Sequence, residues 1–330
     1  MAGTVASGNS ELGEAAVNDA ATPSDGATVA VIIPTFNQAR FLADAIMSVL
    51  AQTRPADEII VVDDASTDDP ASVVGRFQKA KLIRQDKNRG PSAARNAGLR
   101  NCSASHIVFL DADDRLLPTA LETGLRCIAR RPECAFAYGA YRLISENGHP
   151  IGSNWFIPID GDAHLAFLHQ NLIPMPAAVL YRRDCLLAVK GWDEAMRRCE
   201  DHDIYLRMTQ RYPIVGHPDL VAEYRKHGQN TSENHVEQLQ AALRLYDLHE
   251  TRITIDAATR RALRSGRANK RKYYVSRMLS SAQASWQIRR DVGVLMRDLI
   301  QAARWSPRIT MHALIRILGR SVKNAVIAPR

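Results

Sequence analysis

The chain has only five cysteines in 330 residues, at positions 102, 127, 134, 185 and 199, and no two of them form a CxxC pair. An odd number at irregular spacing excludes a disulfide framework and a structural zinc site, and reads as reduced thiols. No apolar run approaches the roughly 20 residues that a membrane span needs. The first 28 residues lack the basic and apolar blocks of a secretion signal. No internal repeat is visible. From these absences a cytoplasmic protein is expected.

What is present is an ordinary core-forming composition, with 46% hydrophobic and 24% charged residues. That excludes a mostly disordered or collagenous chain, and the length fits one large domain with an extra segment. The net charge of +8 hides a split. Residues 251–330 carry a net +15 and residues 1–250 a net −7. The basic part is expected to seek an anionic surface, and the acidic part needs another use for its carboxylates.

Residues 1–28, rich in Ala, Gly, Ser and Thr, read as a disordered tail. Val29–Ile33 and Ile59–Val62 are continuous apolar runs, as expected of strands covered on both faces. Between them, Phe41, Leu42, Ala45, Ile46, Val49 and Leu50 recur at helical spacing over 39–51. Further helices are expected over 68–79, 90–99, 118–130 and 201–210. Strands are expected over 81–84, 107–110, 135–145, 177–181 and 220–226, with 150–160 as loop. From 236 the pattern is helical and basic. Strands alternating with helices predict an α/β fold with a mostly parallel central sheet, flanked by helices. The boundaries are a tail over 1–28, a main domain over 29–235 and a basic helical region over 236–330.

Such sheets bind ligands beyond the carboxyl ends of their strands. Three of those ends carry Pro34-Thr35-Phe36-Asn37, Asp63-Asp64 and Asp111-Ala112-Asp113-Asp114. Together with Asn88-Arg89-Gly90-Pro91-Ser92-Ala93-Ala94-Arg95-Asn96-Ala97-Gly98, this series resembles the family 2 glycosyltransferases of the inverting, bacterial surface-polysaccharide type. The resemblance covers roughly residues 29–230. It implies the Rossmann-like GT-A fold with a C-terminal helical extension. It also implies a nucleotide-diphosphate sugar as donor, UDP-sugar favoured, and a saccharide or lipid-linked saccharide as hydroxyl acceptor. The product class is polysaccharide or glycolipid.

Three carboxylates within four residues repel one another unless a cation joins them, and hard divalent ions prefer oxygen ligands. By resemblance Asp113, Asp114 and His227 hold Mg²⁺ or Mn²⁺, and Asp111 and Asp113 contact the ribose. The same resemblance gives Pro34, Thr35, Asn37 and Asp64 to the nucleotide base, while Asp68 caps the helix after it. Arg95 either meets phosphate or braces the acidic edge. Glu200-Asp201 opens a helix whose dipole is expected to keep a carboxylate ionised, as a general base must be. By resemblance to inverting members Asp201 is the catalytic base, with Glu200 and Trp192 on the acceptor side, although Trp192 reads equally well as packing.

Processive relatives carry membrane spans, and none is found, so transfer of one or a few sugars is expected. Over 311–327 a basic amphipathic helix either lies on an anionic membrane, at the inner face of the plasma membrane, or packs on the catalytic domain. No recognition motif for nucleic acid accompanies the charge. Two other classes fit an α/β sheet with acidic edges. A sugar nucleotidyltransferase would carry a Gly-rich basic loop where Pro34–Asn37 stand, and a non-catalytic nucleotide-sugar-binding module would have no use for the carboxylates.

Overall fold

The computed structural model describes residues 26–228, 234–289 and 292–311. Strand β1 (Val29–Thr35) is buried along its whole length. Val29, Val31 and Ile33 pack to one side, against Leu42, Ile46 and Val49 of helix α1 (Ala39–Leu50). Ala30 and Ile32 pack to the other. Two cores, one on each face, explain why the strand has no polar alternation.

The next elements are β2 (Glu58–Asp63), α2 (Pro70–Val74), β3 (Ala80–Arg84), α3 (Pro91–Arg100) and β4 (His106–Phe109). Helix α2 is far shorter than the 68–79 expected. Asp69, in a left-handed conformation at φ 57°, caps it before Pro70, and Gly75 ends it. Asp68 caps a different helix from the one expected: its Oδ2 accepts from the Ala39 N–H at 2.8 Å, at the start of α1. Helix α3 lies so close to the sheet that a Cβ on Gly98 would stand 2.3 Å from Ile32 Cγ2.

The second half runs β5 (Arg115–Leu116), α4 (Ala120–Ala129), β6 (Phe136–Ile144), β7 (Pro150–Trp155), α5 (Ala163–His169), β8 (Val179–Arg182), α6 (Arg183–Ala188), α7 (Glu200–Thr209) and β9 (Val215–Arg225). Strand β7 replaces part of the expected loop. All six of its residues are exposed, so it carries no hydrophobic pattern to reveal it.

The nine strands form one sheet in the order β3-β2-β1-β4-β8-β6-β9-β5, with β7 on β6. The sheet is mixed. The pairs β1–β2, β1–β4, β2–β3 and β6–β9 are parallel, and the other four are antiparallel. The expected parallel arrangement therefore holds for the N-terminal half, where βαβ crossovers impose it. Thr35 is in register with Asp63, and Ile32 with Phe109, so the ends of β1, β2 and β4 meet at one edge.

The last labelled elements among the described residues are α8 (His235–Glu250), α9 (Ala257–Arg289) and α10 (Val292–Trp305). A Cβ on Gly266 would stand 2.1 Å from the Leu168 carbonyl oxygen and 2.7 Å from Tyr246 Oη, so α9 is seated tightly on α5 and α8. Leu239, Val275, Leu279, Leu299 and Ala302 bury a satellite core among α8, α9 and α10. The described part of the basic region thus packs on the rest of the fold. The amphipathic stretch expected over 311–327 lies, after Met311, outside the described residues. Among the described residues, no helix is long and apolar enough to cross a membrane.

Candidate active site

A cleft of ≈ 320 Å³ opens at the shared edge of β1, β2 and β4. Pro34, Thr35, Asp64, Arg95, Asp111, Asp113 and Glu200 all line it. Seven residues singled out from the sequence, up to 166 positions apart, are therefore brought together by the sheet order.

Asp64 is buried, and its two oxygens accept from the Arg89 and Gly90 N–H groups at 2.8 and 2.7 Å. Burial pushes its pKa up, against those two hydrogen bonds. Each oxygen keeps a lone pair for a further donor. Its neighbour Asp63 is a brace, accepting from the Ser66 N–H at 2.8 Å.

Asn37 stands apart from the cleft lining. At φ 54° it accepts from the Thr67 N–H through Oδ1 at 2.9 Å and donates its own N–H to Ser66 Oγ at 3.0 Å. Its side chain staples the loop after β1 to the loop after β2, beside the cleft where a nucleotide contact was expected of it.

Arg95 is 2% exposed and meets carboxylates from both walls. One nitrogen donates to Asp111 at 2.8 Å, the other to Glu200 at 3.1 Å, with Asp201 at 3.6 Å. The guanidinium also lies 4.6 Å from the Trp192 ring centroid. Of the two roles open for Arg95, bracing is the one observed.

Trp192 is 2% exposed, packed edge-on to Phe109 at 5.3 Å, with its backbone held by Asn96. A ring so enclosed offers no face to a sugar, so its expected acceptor contact gives way to packing beneath Arg95.

Asp113 and Asp111 face the cleft, whereas Asp114 is 1% exposed and turned inward. Asp114 Oδ1 accepts from the Arg225 N–H at 2.8 Å, and burial with the Asp113 and Asp111 charges drives its pKa well up. It ties the strand end to β9 and does not line the cleft, whereas it was expected among the metal ligands. His227 Nε2 lies 2.8 Å from Asp113 Oδ2 and is a hydrogen-bond partner of that carboxylate. Asp113 is itself pushed up by burial and then by Asp111. Among the described residues, no three acidic, His or Cys side chains converge as a ready cation site. The two cleft-facing carboxylates nonetheless repel each other, and a hard divalent ion would relieve that.

Asp201 sits at the first turn of α7 with its side chain 20% exposed. Its Oδ1 is buried without a hydrogen-bond partner. Burial, then the Glu200 charge, drive its pKa well up, and Arg95 opposes them. This reverses the expectation that the helix terminus would dominate: desolvation costs more here than the dipole returns. Farther along α7, Asp203 is held by Arg207 at 2.7 Å and His249 at 3.1 Å, which fixes the helix on α8.

Sequence reasoning missed Arg197, which lines the cleft and attracts Asp64. Arg225 is 2% exposed and donates to the Asp113 carbonyl and to Asp44. Arg197 follows no spacing signal. Arg225 stands two residues before His227 in Tyr224-Arg225-Lys226-His227, the segment whose Arg and His the resemblance places near the diphosphate or metal.

Residues 30–188 match the family described as Glycosyl transferase family 2. An uncharacterized glycosyltransferase of Rickettsia conorii, RC0461, is 38% identical over 57% of this chain and 31% of its own length. A putative teichuronic acid biosynthesis glycosyltransferase of Bacillus subtilis, TuaG, is 33% identical over 37% of this chain and 50% of its own. The chain spans less than a third of the length of the Rickettsia relatives it matches at 30% identity or more. Among solved structures, S. aureus TarS 1-349 in complex with UDP-GlcNAc superposes with a TM-score of 0.57 at 16% identity, over 86% of this chain and 82% of that one. A mannosyltransferase from Pyrobaculum calidifontis in complex with GDP-Man and Mn²⁺ gives 0.59 at 18%, over 94% and 90%. At such identities the shared property is the fold.

Proposed function

We propose that this chain, whose residues 30–188 match the family 2 glycosyltransferases and which has a GT-A-like fold, transfers a sugar from a nucleotide-diphosphate donor, UDP-linked by preference, to a saccharide hydroxyl with inversion at the anomeric carbon. One observation carries the reading: a single cleft holds Asp64, Asp111 and Asp113 on the strand ends and Glu200 on the opposite wall, with Asp201 beside it and Arg95 between. The UDP-GlcNAc complex of TarS supports the uridine preference, and the name of TuaG supports an acceptor in surface-polysaccharide assembly.

In this reading Asp64 accepts from the base, and Pro34 and Thr35 shape the floor beneath it. Asp111 and Asp113 would hold Mg²⁺ or Mn²⁺, as the Mn²⁺ complex of the Pyrobaculum relative suggests. That ion, when bound, supplies positive charge for the departing diphosphate. Asp201 removes the proton of the acceptor hydroxyl. The hydroxyl oxygen then bonds to the anomeric carbon as the bond to the diphosphate oxygen breaks. A raised pKa suits the task, since a base works best near the operating pH. Arg95 holds Asp111 and Glu200 at a fixed separation, so the two walls keep their register.

Peripheral membrane contact belongs to the same proposal. Val292, Met296 and Ile300, each at least 50% exposed, recur four residues apart along α10, and the region around them is basic.

The test is a thermal-shift panel of nucleotides and nucleotide sugars with Mg²⁺, Mn²⁺ or chelator. A UDP-sugar at 100 times its Kd with metal is expected to stabilise the fold by about 2.7 kcal/mol. Asp113→Asn is expected to abolish the metal-dependent part and Asp64→Asn to weaken nucleotide binding. No shift with any nucleotide under any metal condition would refute the reading.

A further inference from the structure

A second cavity, of ≈ 420 Å³, lies between β6, β7, the segment 170–174 and α9. None of its lining residues lines the cleft of Asp64 and Asp111. Its wall is aromatic. Trp155 and Tyr273 are 52% and 58% exposed, an unusual state for rings of that size. Tyr138 and Phe156 are stacked behind them at 5.5 Å, with the Tyr138 hydroxyl donating to the Ile157 carbonyl. Polar lining comes from amides, Asn171 among them, and from one charged group, Lys270.

Lys270 is the telling residue. The described residues offer its ammonium no carboxylate and no hydrogen-bond acceptor, although burial already works against its charge. Lys270 is only partly buried, so its ammonium can be reached from the cavity, and a cation set in an apolar wall is a natural point of contact for an anion. Lys270 is also near enough to Cys199 for its charge to act on that thiol. Cys199 immediately precedes Glu200 and Asp201, so the basic end of the cavity stands beside the turn that carries the proposed base.

Exposed rings match the apolar C–H faces of pyranose sugars, and amides match their hydroxyls; a few placed polar groups in an apolar wall are the usual make-up of a ligand site. An alkyl chain would leave the ammonium without a partner. We propose that this cavity binds a saccharide bearing an anionic group, with a sugar ring on Trp155 and Tyr273 and the anion at Lys270, and that this saccharide is the acceptor. The acceptor role rests on the glycosyl-transfer reading above.

The experiment measures binding to the full chain, without donor, by calorimetry. The probes are a tetrasaccharide of alternating hexuronic acid and N-acetylhexosamine, and its carboxyl-reduced counterpart. The acidic probe is expected to bind about ten-fold more tightly. Lys270→Met is expected to erase that difference. Trp155→Ala and Tyr273→Ala are expected to weaken both probes about ten-fold, and being exposed they leave the fold intact. All three variants keep the wild-type thermal shift with a UDP-sugar. Equal binding of the two probes, binding indifferent to the three substitutions, or no binding at roughly millimolar concentration would overturn the proposal. Response to dodecyl phosphate alone would overturn it in favour of a lipid. If nucleotides fail to bind the wild type while the saccharide responses hold, the donor reading falls and the saccharide site stands.

Discussion

Replacing Arg95 by Met tests the electrostatics of the cleft directly. The guanidinium is buried, with Asp111, Glu200 and Asp201 at 2.8, 3.1 and 3.6 Å. Met keeps most of the stem and its contact with Trp192 but leaves three carboxylates facing one another. Breaking a buried ion pair on one side costs about 3–5 kcal/mol. These carboxylates are 13–32% exposed, so water relieves part of the loss, and about 3 kcal/mol is expected. With a urea slope of about 3 kcal/mol/M the unfolding midpoint should fall by about 1 M at pH 8. The loss has a sign in pH. Asp201 is already raised by burial, and without Arg95 it rises further, so the variant takes up protons on folding. Its deficit should therefore shrink at pH 5, where the stranded carboxylates protonate, and grow toward pH 8. Arg95→Lys should fall between, because a point charge cannot meet both walls. A midpoint within about 0.3 M of wild type at pH 8, or a deficit that does not change with pH, would refute the reasoning.

Other consequences follow from the same geometry. Asp201→Asn should lower kcat by about 10²–10⁴ while nucleotide binding persists. The same variant should be more stable than wild type at neutral pH: a carboxylate raised in the fold contributes stability only below its unfolded pKa and loses it as pH rises, and the amide removes that loss. Wild-type turnover would overturn the base assignment. Gly266→Ala should cost about 1–3 kcal/mol in urea unfolding, because its Cβ meets a backbone carbonyl that cannot rotate away. Exchanging Val292, Met296 and Ile300 together for Gln should leave stability nearly unchanged and shift the protein from pellet to supernatant when sedimented with anionic vesicles; sedimentation unaffected by the change would end the membrane reading.

Much of the architecture was legible because buried strands leave a strong signal. Val29–Ile33 and Ile59–Val62 are apolar without interruption, and they form neighbouring strands. The acidic clusters at the strand ends were legible for the same reason, since parallel strands bring their carboxyl ends to one edge. Strand β7 was hidden because all its residues face solvent, and α2 was overestimated because a left-handed Asp69 and Gly75 confine it. Trp192 could not be assigned from sequence: whether an indole is a platform or a floor depends on what covers it, and here that is Arg95 and Phe109.

Composition and order along the chain thus determined the α/β class, the motif series and the edge at which the carboxylates collect, because those depend on local periodicity and on crossover geometry. Which carboxylates face the cleft was decided only by packing across distant segments. Asp113 is presented and Asp114 is withdrawn, although the two are adjacent, because the backbone of Arg225 takes hold of the second. Burial likewise overrode the helix terminus at Asp201. Desolvation is set by everything that surrounds a group, and a linear pattern does not contain it.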